Sequence, residues 1–124
     1  MLVDLNRNVL ESLGYQVVTE TDPIRAIETF KGGRDAFDLV ITDKTMPHLT
    51  GFDVARAVRD IRSDIPILLC SGFQEKGDME ILADIGISRL IMKPTKRSIL
   101  ANTIRDLLNK DRREGNHDRN SSVK

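Results

Sequence analysis

Cysteine is almost absent: Cys70 is the only one in 124 residues. A single thiol closes no internal disulfide, which excludes a disulfide-stapled scaffold and fits a reducing, cytoplasmic setting. An excess of charge of either sign is missing too, with 19 Lys and Arg against 19 Asp and Glu. Direct nucleic-acid binding is therefore not expected, because it normally draws on a basic surplus. Apolar runs end after a handful of residues, far short of the ~20 that a membrane helix needs. Met1 to Asn8 has neither the positive start nor the apolar stretch of a signal peptide. No glycine-rich phosphate loop of the P-loop or dinucleotide type is present. His48 and His117 have no partners at metal-ligand spacing and are expected to face solvent.

What remains is a length suited to one domain with a real core and a hydrophobic pattern that alternates between two periods. Leu2, Leu5, Val9 and Leu13 form a helical stripe that Gly14 is placed to end. Residues 15–19 read as a strand, and Asp22-Pro23 as an N-cap with proline in the first turn of a helix striped by Ile24, Ile27 and Phe30. Residues 37–42 are a buried-type strand. Thr50 or Gly51 opens a helix striped by Val54, Ala55, Val58 and Ile61. Residues 65–70 are the most apolar strand, followed by a helix over 78–85 with Met79, Leu82 and Ala83 inward. A strand over 87–92 and a helix capped by Thr95, with Leu100, Ile104, Leu107 and Leu108 on one face, complete the pattern.

Such alternation predicts an α/β domain over 1–110, a doubly wound parallel sheet with right-handed crossovers. From Asp111 the chain holds one valine and no other large apolar residue, so 111–124 is expected to be a disordered tail. The pattern opens on a helix where such a sheet opens on a strand, so the first strand is expected to be missing.

Three predicted strands end in reactive groups, Asp43, Ser71 and Lys93, and open α/β sheets bind ligands outside the carboxyl ends of their strands. The chemistry is coherent. A carboxylate can attack phosphorus to give an acyl phosphate, while a hydroxyl and an ammonium bind the phosphoryl oxygens.

The same residues carry a resemblance. Residues 39–47 with Gly51 resemble the phosphoacceptor strand of response-regulator receiver domains, and residues 69–72 the strand that supplies the family's Ser or Thr. Met92-Lys93-Pro94 resembles its Lys-Pro turn, and Gly86 stands at its usual glycine before the last strand. The resemblance implies a flavodoxin-like fold of strand order 2-1-3-4-5 and a two-component phosphorelay function. Asp43 would take a phosphoryl group from a histidine kinase or phosphotransfer domain, with Ser71 and Lys93 binding it. Asp43 and the Thr45 carbonyl would ligate Mg²⁺, and the Lys93-Pro94 bond would be cis. It also implies a phosphoacceptor and not a turnover enzyme, as a stand-alone regulator or the C-terminal receiver of a hybrid kinase.

Two features depart from the family. The strand ending in an acidic pair that holds Mg²⁺ is not found before the first helix, so Mg²⁺ is expected only where that pair is supplied. Leu90 stands where the family carries Tyr or Phe. A receiver-like binding module that cannot be phosphorylated is the alternative, and unpaired central sheet edges make a homodimer a candidate. An Asp-nucleophile phosphatase is more remote, since the second aspartate it needs for acid–base work is Thr45 here.

Overall fold

A computed structural model describes residues 1–3, 7–46 and 48–120, with the backbone alone for 2–3 and 110–120. In chain order the elements are β1 (Leu2–Val3), α1 (Arg7–Ser12), β2 (Thr19–Glu20), α2 (Pro23–Gly32), β3 (Val40–Asp43), α3 (Gly51–Ile61), β4 (Ile67–Ser71), α4 (Asp78–Ile85), β5 (Arg89–Met92) and α5 (Arg97–Asn120). A short 3₁₀ turn, Arg34–Ala36, joins α2 to β3. The sheet is parallel, in the order β2-β1-β3-β4-β5. That is the expected α/β, doubly wound architecture. Among the described residues, no helix is long and apolar enough to cross a membrane.

The first strand is not missing, which corrects the expectation from the sequence. Leu2 and Val3 lie between their neighbours, pairing with Thr19 and Glu20 on one side and with Ile41 and Thr42 on the other. The Met1 carbonyl extends the ladder by accepting from the Ile41 amide at 2.7 Å. Two residues bridge an opening that would otherwise leave backbone groups unpaired in mid-sheet. The expected helix accordingly shrinks to Arg7–Ser12, and the open-edge argument for a homodimer lapses where β1 pairs. Asp4 and Leu5, which follow β1 in the chain, lie outside the described residues.

Strand alternation divides the core in two. Leu39, Ile41, Leu68, Cys70 and Ile91 meet Leu10 of α1 and Ile104 and Leu107 of α5. Val40 and Ile67 meet Phe30 of α2, Val54 and Val58 of α3 and Ile85 of α4 on the opposite face. Several inward assignments differ in detail. Ala26 is buried and Ile24 half exposed in α2, because Pro23 and Phe30 set the inner face one residue round. In α4, Asp78 and Ile85 are buried with Leu82, while Met79 and Ala83 are exposed.

Caps fix the loops that carry the site. Asp22 accepts from the Ile24 amide at 3.0 Å, as expected. Thr50 and Asp53 form a reciprocal capping box at the start of α3. Thr95 instead donates to the Met92 carbonyl at 2.9 Å, one turn before α5. Helix α5 continues to Asn120, where the sequence predicts disorder from 111. Residues 111–120 contain no large apolar side chain, so this extension is helix without a core-facing stripe. Residues 121–124 lie outside the described residues.

Candidate functional site

Pairing with β4 places Asp43 opposite Cys70, and pairing of β4 with β5 places Ser71 opposite Met92. Two backbone bonds carry the ladder one residue further. The Lys44 amide donates to the Cys70 carbonyl and the Lys93 amide to the Ser71 carbonyl, each at 2.7 Å. The expected trio of strand ends is thus gathered at one end of the sheet. Asp43 continues the Leu39–Ile41 side of β3, and it is buried.

Lys93 reaches that carboxylate, with Nζ 2.9 Å from Asp43 Oδ1. The lysine side chain is 41% exposed and the aspartate 9%. A half-solvated cation therefore faces a buried anion, a pair that an incoming anionic group can approach from the solvent side. The Lys93-Pro94 peptide is cis, as the resemblance implied.

Cys70 lies beneath. Burial, aided by the charge of Asp43 and opposed by Lys93, pushes its thiol up to about 11. It is a small core residue and not a nucleophile.

Ser71 is at the expected place but committed elsewhere. Its hydroxyl donates to the Phe73 carbonyl and accepts from the Phe73 amide at 3.1 Å. A hydroxyl has a single O–H to give, so in this conformation it is not available to a ligand on Asp43. Thr45 is exposed.

The close approach of α3 to β3 holds Asp43 in place. The Gly51 amide donates to the Lys44 carbonyl at 2.7 Å. A Cβ on Gly51 would sit 2.7 Å from Leu69 Cδ1 and 2.9 Å from the Asp43 carbonyl carbon, with the carbonyl oxygen nearer still. Only glycine leaves room for that contact.

A feature that sequence reasoning missed is Lys44. One residue beyond β3 it continues the Val40–Thr42 side, and its ammonium is buried against α4. Nζ lies 2.7 Å from Asp78 Oδ2, 3.4 Å from Glu75 Oε1 and 4.4 Å from the centre of the Phe73 ring. Burial alone would lower the pKa of this lysine; the hydrogen bonds and charges of Asp78 and Glu75 outweigh that and raise it. The hydrogen bond from Lys44, with one from the Glu75 amide, holds the Asp78 carboxyl below its ordinary value. A lysine directly after an apolar strand, on the helix-covered side of the pleat, was the available signal. It gives no hint of its partners 31 and 34 residues away.

Mg²⁺ demands near-octahedral oxygen coordination. Among the described residues no group of three or more His, Cys, Asp or Glu side chains could hold a metal. Asp43 supplies one carboxylate, already engaged by Lys93. The described donor set does not make a Mg²⁺ site.

Comparison with known proteins agrees with this fold. Residues 1–105 match the response regulator receiver domain family. Among curated relatives, transcription factor SKN7 of Candida albicans is 31% identical over 123 residues, 98% of this chain and 21% of that protein. Sensor protein EvgS of Escherichia coli K12 is 30% identical over 96 residues, 77% of this chain and 8% of that protein. The chain thus spans about a fifth or less of either. Among solved structures, the receiver domain of sensor histidine kinase PA1611 from Pseudomonas aeruginosa, with a magnesium ion coordinated in its active-site cleft, is 26% identical with a TM-score of 0.75. That match covers 87% of this chain and 94% of the other. A receiver domain protein from Clostridium thermocellum has a TM-score of 0.83 at 22% identity, covering 90% and 94% of the two chains.

Proposed function

The chain belongs to the response regulator receiver domain family of two-component systems, and from that premise we propose that Asp43 is its phosphoacceptor. An Asp43 oxygen attacks the phosphorus of a phosphohistidine on a histidine kinase or phosphotransfer domain. The O–P bond forms as the N–P bond breaks, and the imidazole leaves with the electron pair. Lys93 neutralises charge on the incoming phosphoryl oxygens, and Ser71 donates to them once its hydroxyl leaves the Phe73 carbonyl. The observation that carries this reading is the ion pair, 2.9 Å apart, between a buried aspartate at the end of β3 and a half-exposed lysine after β5, two strands away across β4.

The chain acts in this reading as a signalling module and not as a turnover enzyme, in the cytoplasm. Thr45 stands where an Asp-nucleophile phosphatase needs its acid–base carboxylate.

One observation favours a second reading, a receiver-like binding module that is not phosphorylated: the Ser71 hydroxyl is committed to Phe73. Intact-mass measurement after incubation with acetyl phosphate, with and without Mg²⁺, separates the two. One phosphoryl adduct that disappears in Asp43→Asn is the expected result. An unmodified chain under both conditions rejects the phosphoacceptor reading in favour of the second.

A further inference from the structure

The Lys44 cluster is used by nothing in the reaction above, yet every contact it makes bears on the segment that holds Ser71. Residues 72–77 connect β4 to α4, and a single atom, Lys44 Nζ, tethers that connection and the first residue of α4 at three points. These are the face of the Phe73 ring, the Glu75 carboxylate and the Asp78 carboxylate. Asp78 fastens the loop a second time by accepting from the Glu75 amide at 2.8 Å. The lysine itself is rigidly based. Its amide is bonded to Cys70 of β4 and its carbonyl to Gly51 of α3, each at 2.7 Å. Within this loop the Phe73 carbonyl takes the Ser71 hydroxyl.

We propose that Lys44 is a positioning residue that latches the β4–α4 loop in the state where the Ser71 hydroxyl is bonded to Phe73, away from a phosphoryl group on Asp43. This rests on Asp43 being the phosphoacceptor. Ser71 has one O–H and cannot serve both acceptors, so binding the phosphoryl group requires that hydroxyl to leave the Phe73 carbonyl. Phe73 is the residue whose ring lies against the Lys44 ammonium. The Lys44 tethers hold the Phe73 carbonyl where it takes the Ser71 hydroxyl, and the latch sets how readily that hydroxyl is given up to the phosphorylated state. Lys44 is joined directly to Asp43 in the chain, so one segment carries both the site of modification and the restraint on its response.

The test uses the full chain as wild type, Lys44→Met/Asp78→Asn and Lys44→Arg, followed by hydrogen exchange and by the rate of acetyl phosphate labelling. Replacing both members of the pair leaves no lone buried charge. The Asp78→Asn side chain keeps a carbonyl oxygen that can still accept from the Glu75 amide. Loop amides from Phe73 to Lys76 are expected to exchange roughly tenfold faster in the double variant, with those of β4 unchanged. Its phosphoryl adduct should form several-fold faster, and Lys44→Arg should keep the slow exchange of wild type. Unchanged loop exchange in the double variant overturns the latch. So does faster loop exchange with labelling at the wild-type rate. If the double variant does not fold, Asp78→Asn alone is judged by the same two readouts. A wild-type chain that takes no label rejects the phosphoacceptor reading instead, and exchange then decides by itself whether Lys44 holds the loop.

Discussion

Replacing Gly51 by alanine tests the closeness of α3 to the strand that carries Asp43. The added methyl would lie 2.7 Å from Leu69 Cδ1 and 2.9 Å from the Asp43 carbonyl carbon. Leucine could rotate away, but the Asp43 backbone is fixed by its pairing with Cys70. Helix α3 must therefore retreat at its first turn, which stretches the 2.7 Å bond from Gly51 to Lys44. Overpacking of this kind costs about 1–3 kcal/mol, and weakening a buried backbone bond adds roughly 0.5–1.5 kcal/mol. The combined loss is about 2–4 kcal/mol, which for a domain near this size lowers Tm by roughly 10–20 °C. Gly32→Ala is the control. It lies at the end of α2 with nothing within 4 Å of its Cβ, so it should be neutral or stabilising by up to ~1 kcal/mol. Urea unfolding of both variants, followed by circular dichroism, gives the difference. Equal midpoints for the two alanine variants would refute the close-approach argument.

Three further outcomes follow from the site. Lys93→Met should fold, since the lysine is 41% exposed and its pair is discounted by solvent, but its acetyl phosphate labelling should fall by about 100-fold. Labelling at the wild-type rate would remove Lys93 from the reaction. Asp78→Asn should be less stable than wild type near neutrality. Because Lys44 holds the Asp78 carboxyl below its ordinary value, that stabilisation is present above the unfolded pKa and lost as pH falls through the folded one. The gap between the two proteins in urea should accordingly close in acid, and a gap independent of pH would count against the ion pair. Cys70, pushed up to about 11 from 9.0, has about 100-fold less thiolate at neutral pH than an ordinary cysteine. Its reaction with an aromatic disulfide should be slower by at least that factor in the folded chain and normal in urea. Rapid labelling of the folded protein would contradict its burial.

The amino-acid pattern made most of the architecture legible where local signals and tertiary needs coincide. Asp22-Pro23, the helix start at Thr50 or Gly51, and the apolar run over 65–70 each specify an element nearly alone. The first strand failed that test for a physical reason. Leu2, Leu5, Val9 and Leu13 fit a helical stripe, and the competing claim on Leu2 and Val3 comes from Thr19, Glu20, Ile41 and Thr42. Those partners are remote in sequence, and a local stripe is only a weak prior against sheet pairing. The α4 face was misjudged similarly. Its inner side is set by the ion pair of Asp78 with Lys44, so a charged residue sits where an apolar stripe would put Met79.

The candidate site divides along the same line. Asp43 and Lys93 were legible because a strand end fixes both position and direction, and their pairing needs only the register of three adjacent strands. Ser71 was legible in position alone, since the direction of its hydroxyl depends on where the loop after it places the Phe73 carbonyl. That dependence bears on signalling. Leu90, half-buried on β5, has no ring whose rotation could report modification, so a change at Asp43 has to leave the site by another route. The β4–α4 loop is the element on which Ser71, Phe73, Glu75 and Lys44 all converge. Its far end is the first turn of α4, pinned by the buried Asp78. On the proposed reading, a rearrangement of Ser71 would reach α4 through the loop backbone and the Lys44 pair, without an aromatic residue on β5.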